Sequence, residues 1–266
     1  MRNSHIGIFD SGIGGLTVAN EIRKVLPNEN IIYFGDTKHL PYGEKSKEFI
    51  QICTKKIITF LISKKCKAII IACNSASAVA EENLFINNKK IPVFNVIDPV
   101  INEISNFITE EKIGVIGTKA TICSNIYKKK IRNIYSKANV KSLATPLLAP
   151  MIEEQFINEK ISNTIIEKYL SNKKLNNIKH LILACTHYPL IYKEINNYYR
   201  KKVNVINSAK IVVKHIANTL NKLDLTNNSQ NNSHHFYVSN YTNSFEKSAN
   251  FFFNESIRLK EINLFS

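Results

Sequence analysis

Short runs of apolar residues recur along the chain, and between them apolar positions fall at three-to-four spacing. Unbroken apolar runs suit strands buried on both faces, and three-to-four spacing suits helices with one buried side. The pattern predicts strands over residues 6–9, 30–34, 68–72, 93–96, 112–116, 140–143, 180–184, 203–206 and 236–238. Helices are expected between most of them, for example over 16–25, 48–64, 77–87 and 162–170. Strand alternating with helix gives βαβ units, so the expected class is α/β with mostly parallel sheets flanked by helices. Ligands of such sheets sit beyond the carboxyl ends of the strands.

Two of the predicted strands end in the same way. The run from Ala68 to Ala72 stops at Cys73, followed by Asn74 and Ser75, and the run from Leu181 to Ala184 stops at Cys185, followed by Thr186 and His187. The cysteines are too far apart in the chain for a CxxC metal or redox pair. A lone thiol at a strand end is commonly inert packing. A thiol at the start of a helix meets partial positive charge, which is expected to lower its pKa from about 8.5. Matched thiols at two strand ends suggest a base and an acid facing one cleft. Cys53, Cys66 and Cys123 lack this setting and are expected to serve packing.

Three further stretches join a strand to a turn. "GIFDSGIGGLTV" carries Asp10 and Ser11, then Gly12, Gly14 and Gly15. It is not a dinucleotide fingerprint, because Thr17 stands where GxGxxG needs its last glycine. Asp10 is read as a site carboxylate, with a turn or helix cap as the bland alternative. "YFGDTKHLPYGEKS" holds Pro41, Tyr42 and Gly43, whose turn would point N–H groups outward to receive a carboxylate. "IGVIGTKATI" repeats the design, with Thr118 and Thr121 after Gly117.

Composition narrows the setting. The chain has 266 residues, five cysteines and a formal net charge of +15. Its apolar runs are too short to span a bilayer. The start "MRNSHIGIFDSG" lacks the apolar stretch of a secretory signal, so a cytoplasmic protein with free thiols is expected. The positive charge comes mostly from lysines scattered among Asn and Ile, which reads as solvated faces and not as a specific nucleic-acid surface. "DLTNNSQNNSHH", residues 224–235, reads as a polar loop, and His234 and His235 as solvated residues, so no metal site is expected.

Taken in order, "DSGIGGLTV", "YFGDTKHLPYGEKS", "ACNSASA", "IGVIGT" and "ACTHYPL" resemble the glutamate racemases, the cofactor-independent amino-acid racemases of bacterial cell-wall synthesis. The resemblance implies two similar α/β domains, residues 1–97 with 208–266 and residues 98–207, and a substrate cleft between them. It implies Cys73 and Cys185 facing each other from opposite domains. In the L-to-D direction Cys185 would be the base and Cys73 the acid, with His187 assisting Cys185 and Asp10 assisting Cys73. Substrate contacts are implied at Asp10, Ser11, Tyr42, Gly43, Asn74, Ser75, Thr186 and His187, and Thr118 and Thr121 are added to that set. The substrate would be glutamate, no cofactor or metal would be needed, and homodimers are the common assembly. Three positions depart from the family pattern. Ser75 replaces the usual Thr, Thr145 stands where Cys is frequent, and "VINSAK" puts Asn207 and Ala209 in a segment resembling Ile-Asp-Ser-Gly. Two other readings compete. One is an aspartate racemase, with the same thiols and a different pocket for the side-chain carboxylate. The other is a basic regulatory or nucleic-acid-binding protein whose activity has decayed. The intact polar neighbours of both cysteines weigh against decay. No lysine stands in a site motif as a pyridoxal phosphate enzyme would require.

Overall fold

The computed structural model describes residues 2–80, 91–108, 110–157, 159–229 and 232–265. Among the described residues, ten strands lie in two separate sheets: β1 (Ile6–Asp10), β2 (Ile31–Gly35), β3 (Ala68–Ile71), β4 (Val93–Asn95), β5 (Lys112–Gly117), β6 (Asn139–Ala144), β7 (His180–Ala184), β8 (Asn204–Ile206), β9 (His234–Val238) and β10 (Leu259–Glu261). Eleven helices are described: α1 (Leu16–Val25), α2 (Lys47–Ser63), α3 (Asn74–Val79), α4 (Asp98–Ser105), α5 (Lys119–Cys123), α6 (Ile126–Ile134), α7 (Leu148–Glu153), α8 (Lys160–Leu170), α9 (Tyr192–Tyr198), α10 (Ser208–Lys222) and α11 (Asn243–Phe253). None of the described helices is long and apolar enough to cross a membrane.

The first sheet runs β10-β9-β2-β1-β3-β4 and the second β6-β5-β7-β8, and every pairing is parallel. Parallel strands need both faces covered. Accordingly β1, β2, β3 and β7 are buried nearly end to end. The two orders share one logic. In each, the chain lays down a strand, adds the next on one side, then crosses to the other side for the third and fourth. The reversal opens a crevice at the carboxyl ends of β1 and β3 in one sheet and of β5 and β7 in the other. Cys73 follows β3 and Cys185 follows β7, so the two thiols occupy equivalent corners of two similar sheets. The matched sequence endings reflect this repeated topology.

Local capping fixes where the helices around these corners begin. Ser46 accepts the Phe49 N–H at the head of α2, and Thr118 accepts the Thr121 N–H at the head of α5. Asn207 does the same for α10 by accepting the Ala209 N–H at 3.1 Å.

Several expectations need correction. His234 and His235 are not in a loop: they open β9, paired opposite Ile31 and Ile32 of β2. Backbone pairing with β2 recruits them whatever their side-chain polarity. The strand β10 carries only one apolar residue, too little for periodicity to find. The helix expected over 77–87 begins earlier, at Asn74, and is described to Val79; residues 81–90 lie outside the described residues. All five cysteines are free, and Cys53 and Cys66 are buried as expected of packing, but Cys123 is exposed on α5.

Candidate active site

Each thiol is placed by the turn that follows its strand. The Cys73 carbonyl accepts the first helical bond of α3, from the Ser77 N–H at 2.8 Å, and its side chain is buried. The thiol donates to the Ser11 hydroxyl at 3.6 Å. Burial pushes Cys73 up to about 12, and the Asp10 carboxylate pushes the same way; contacts to Ala76 and Ser11 pull down by less. The expected lowering at a helix start is thus overturned. α3 has only six residues, and its N-terminal donors cannot offset full desolvation beside a negative charge.

Cys185 follows β7 and leads into a 3-10 turn, Tyr188–Ile191, and not directly into an α-helix as its sequence suggested. Its sulfur lies 3.5 Å from Nδ1 of His187, whose Nε2 in turn lies 2.8 Å from Oε1 of Glu153 on α7. Burial alone would lower the His187 pKa. Cys185 and Glu153 on its two sides reverse that and hold it well above the ordinary range, so the ring is kept positive.

Asp10 is fully buried at the end of β1. One of its oxygens accepts the Gly12 N–H at 3.1 Å and the other accepts the Thr186 hydroxyl at 3.3 Å. Burial raises its pKa, although His187 and the Gly12 and Gly15 N–H groups act to lower it. The glycines of this turn serve close packing of site side chains, and none adopts positive φ. A Cβ on Gly14 would lie 2.3 Å from the His187 ring, and one on Gly15 would lie 2.6 Å from Cβ of Asp10.

Hydroxyl and amide groups complete the cleft. Ser75 Oγ lies 2.9 Å from Thr118 Oγ1 and 3.4 Å from Thr121 Oγ1, so the hydroxyl that Ser75 keeps is engaged. Asn74 Oδ1 accepts the Tyr127 phenol at 2.7 Å. Both contacts join the crevice of one sheet to that of the other, as does the Thr17 hydroxyl on the Thr186 carbonyl at 2.8 Å. Tyr42 and Gly43 sit in a 3-10 turn, Tyr42–Glu44. Its first hydrogen bond is from the Glu44 N–H to the Pro41 carbonyl, which leaves the earlier N–H groups of Tyr42 and Gly43 without an intrahelical partner.

A narrow cleft gathers most of these groups. Its walls include Ser11, Tyr42, Gly43, Cys73, Asn74, Ser75, Thr118, Cys185, Thr186 and His187. Of the remaining candidates, Asp10 lies behind Thr186 and Thr121 behind Ser75 and Thr118. Sequence reasoning missed Glu153, also in the wall, and Tyr127 behind Asn74. Tyr127 shares a buried helix face with Ile131, a spacing that signals burial but names no partner. Glu153 stands beside Glu154 with nothing local to single it out. Thr145, a departure from the family pattern, is buried with its hydroxyl 2.6 Å from that of Tyr188. The donor set around the two sulfurs, thiols with hydroxyls, an amide and one His–Glu pair, is suited to moving protons.

Comparison with known proteins identifies the family. The Asp/Glu/Hydantoin racemase family model matches residues 16–216. A glutamate racemase from Geobacter metallireducens is 38% identical over 248 residues, 93% of this chain and 92% of the relative. One from Aquifex aeolicus is 43% identical over 209 residues, 79% of this chain and 80% of the relative. The crystal structure of the Francisella tularensis glutamate racemase in complex with D-glutamate superposes with a TM-score of 0.92 at 37% identity, covering 100% of this chain and 99% of that one. In sequence across nearly its full length, and in the arrangement of its two sheets, the chain belongs to the Asp/Glu/hydantoin racemases, within their glutamate racemase branch.

Proposed function

We propose that this racemase interconverts L- and D-glutamate with two thiols and no cofactor, and so supplies D-glutamate for peptidoglycan. The observation that carries the reading is the pair of matched strand-end cysteines in one cleft, set beside opposite charges. Racemisation takes the α-proton from one face and returns a proton to the other. A single base would have to cross the substrate plane, and two need not. One thiol must start as thiolate and the other as thiol. Positive His187 at 3.5 Å is the charge that a thiolate on Cys185 would pair with. Cys73, pushed up to about 12 near Asp10, is kept as thiol. From L-glutamate, Cys185 takes the α-proton and Cys73 delivers its own; from D-glutamate the roles reverse after Asp10 takes the Cys73 proton and His187 gives one to Cys185.

The carbanion at Cα is stabilised by preorganised donors around the α-carboxylate, each worth roughly 3–4 kcal/mol when such a donor is removed. Asn74, Ser75 and Thr186 fill that role. The N–H groups of Tyr42 and Gly43 receive the side-chain carboxylate, with Thr118 and Thr121 beside them; Ser11 faces the amino group, and Asp10 supports this corner from behind Thr186. Residues 1–97 with 208–266 form one domain and residues 98–207 the other, and the cleft lies between them. The enzyme acts in the cytoplasm as a homodimer.

Circular dichroism of purified protein with L- or D-glutamate tests the activity. Ellipticity should decay to zero from either enantiomer with no cofactor added, and far faster than with aspartate, whose shorter side chain leaves its carboxylate misplaced. Dependence on added pyridoxal phosphate, or equal kcat/KM for aspartate, would overturn the reading.

A further inference from the structure

Behind the Tyr42–Gly43 turn lies a polar cluster that the racemisation steps do not use. Asp36 follows β2 and is fully buried. Its carboxylate takes the Tyr42 phenol on Oδ2 at 2.6 Å and the Ser239 hydroxyl on Oδ1 at 2.7 Å. Nδ1 of His39 lies 2.9 Å from Oδ1 and 3.0 Å from Oδ2. The backbone holds the same point, with the Asp36 N–H on the Asp10 carbonyl at 3.0 Å and the His39 N–H on the Asp36 carbonyl at 3.2 Å. Three segments therefore meet on one carboxylate: the turn, the stretch leading to it, and the end of β9. A buried carboxylate is costly unless its oxygens are fully occupied. Here they are, and the occupant nearest the cleft is the side chain of a turn residue.

The turn needs such support. Three residues of 3-10 helix have little stability of their own. On the cleft side the turn is hemmed in: a Cβ on Gly43 would stand 2.8 Å from Cβ of Thr118. On the other side the Tyr42 phenol anchors it, donating to Asp36 at 2.6 Å with the Cys53 thiol also in hydrogen-bond contact.

We propose that Asp36 is a positioning residue for the substrate's side-chain carboxylate, holding the Tyr42 ring from behind so that the N–H groups of Tyr42 and Gly43 are preset toward the cleft. The proposal rests on the reading that those two N–H groups receive that carboxylate. Preset donors bind without an ordering cost, so loss of the anchor weakens binding of the distal carboxylate and leaves proton transfer at Cα alone. The Cys53 sulfur also lies in this cluster, and the donor atoms of Asp36, His39 and Cys53 fall within 4.8 Å of one another. A zinc-class ion accepts such a set. The three hydrogen donors already on Asp36 favour the hydrogen-bonded arrangement.

The test begins with the parent protein and two ligands, glutamate and 2-aminopentanoate, which has the same carbon chain without the distal carboxylate. Glutamate should bind much more tightly. Equal binding would sink the reading of the Tyr42 and Gly43 N–H groups itself, before any variant is made. Tyr42→Phe and Asp36→Asn should then each raise KM for both enantiomers by about tenfold, the loss of one hydrogen bond to a charged group, with kcat kept. The double variant should be little worse than either single one, because both break the same link. Inhibition by 2-aminopentanoate should not change. Should Asp36→Asn fail to fold, Tyr42→Phe carries the test alone. A fall in kcat at unchanged KM, equal weakening of 2-aminopentanoate, unchanged KM in Tyr42→Phe, or stoichiometric zinc in the purified protein that Cys53→Ala removes would each overturn the proposal.

Discussion

Cys73 and Cys185 stand at equivalent corners of two similar sheets, yet their neighbours are opposite. Cys73 looks onto a hydroxyl and a buried carboxylate, and burial with that negative charge holds it as a thiol. Cys185 looks onto a histidine that Glu153 and the sulfur itself keep positive. Topology makes the two thiols alike in position, and a few side chains make their surroundings unlike in charge. A two-base racemase needs both: equivalence so that either face of Cα can be reached, and difference so that one thiol starts without its proton. Each half is also wired into the other. Asp10 in the first sheet accepts from Thr186 beside Cys185, and Asn74 beside Cys73 accepts from Tyr127 on α6. The contrast is therefore a property of the closed cleft and not of either half alone.

The largest break comes from removing either sulfur. Cys73→Ser and Cys185→Ser should each lower kcat by roughly 10²–10⁴-fold or more, the range for losing a positioned acid or base. A serine hydroxyl is similar in size, so thermal unfolding should change little. Ser at Cys53, Cys66 or Cys123 should leave turnover nearly intact, which a coupled assay for D-glutamate would show.

The next break removes the charges. His187→Asn and Asp10→Asn should each slow turnover by about 10²-fold. L- and D-glutamate are mirror images of equal free energy, so kcat/KM must fall equally in the two directions. The asymmetry should appear in primary isotope effects. α-Deuterated L-glutamate should show the larger effect in His187→Asn, and α-deuterated D-glutamate in Asp10→Asn. Equal isotope effects in both variants would mean that the two residues do not serve separate thiols.

A smaller effect sharpens the electrostatic side. Burial raises the Asp10 pKa in the folded chain. Relative to low pH, where both states hold the proton, stability is lost as pH rises from the ordinary carboxylate range through that raised value. Above it the penalty is complete. Asp10→Asn removes it, since the amide can still accept from Gly12 and face Thr186. The variant should melt a few degrees higher near neutral pH, and the gain should vanish as the pH falls to the ordinary range. Calorimetry at a series of pH values checks both sign and window.

Much of this was legible in the sequence because strand ends are. Apolar runs located β3 and β7, and in a parallel sheet that alone directs Cys73 and Cys185 to the ligand side. The hydroxyl and amide neighbours follow in the next one or two residues, so they travel with the motif. What was not legible depends on elements distant in the chain. Glu153 reaches His187 only because α7 packs against the turn after β7, and two adjacent glutamates give no sign of which one does. Tyr127 reaches Asn74 across the cleft. The pKa of Cys73 was misjudged for the same reason. A helix start is a local feature that the sequence displays, whereas full burial beside Asp10 is a tertiary one that outweighs it. His234 and His235 show the converse, polar residues taken into β9 by a neighbouring strand whose pattern lies far upstream.

The contrast between the thiols is tested most directly by a half-reaction that needs only one of them. A glutamate analogue with a leaving group on Cβ loses that group once its α-proton is taken, with no reprotonation at Cα. Cys73→Ser keeps Cys185 and should eliminate from the L-analogue only; Cys185→Ser keeps Cys73 and should eliminate from the D-analogue only. Incubating each variant with each enantiomer and measuring the released group gives four rates. Two should be high and two near background, in opposite pairs. Elimination by both variants from the same enantiomer, or racemisation of glutamate by either variant near the parent rate, would contradict it.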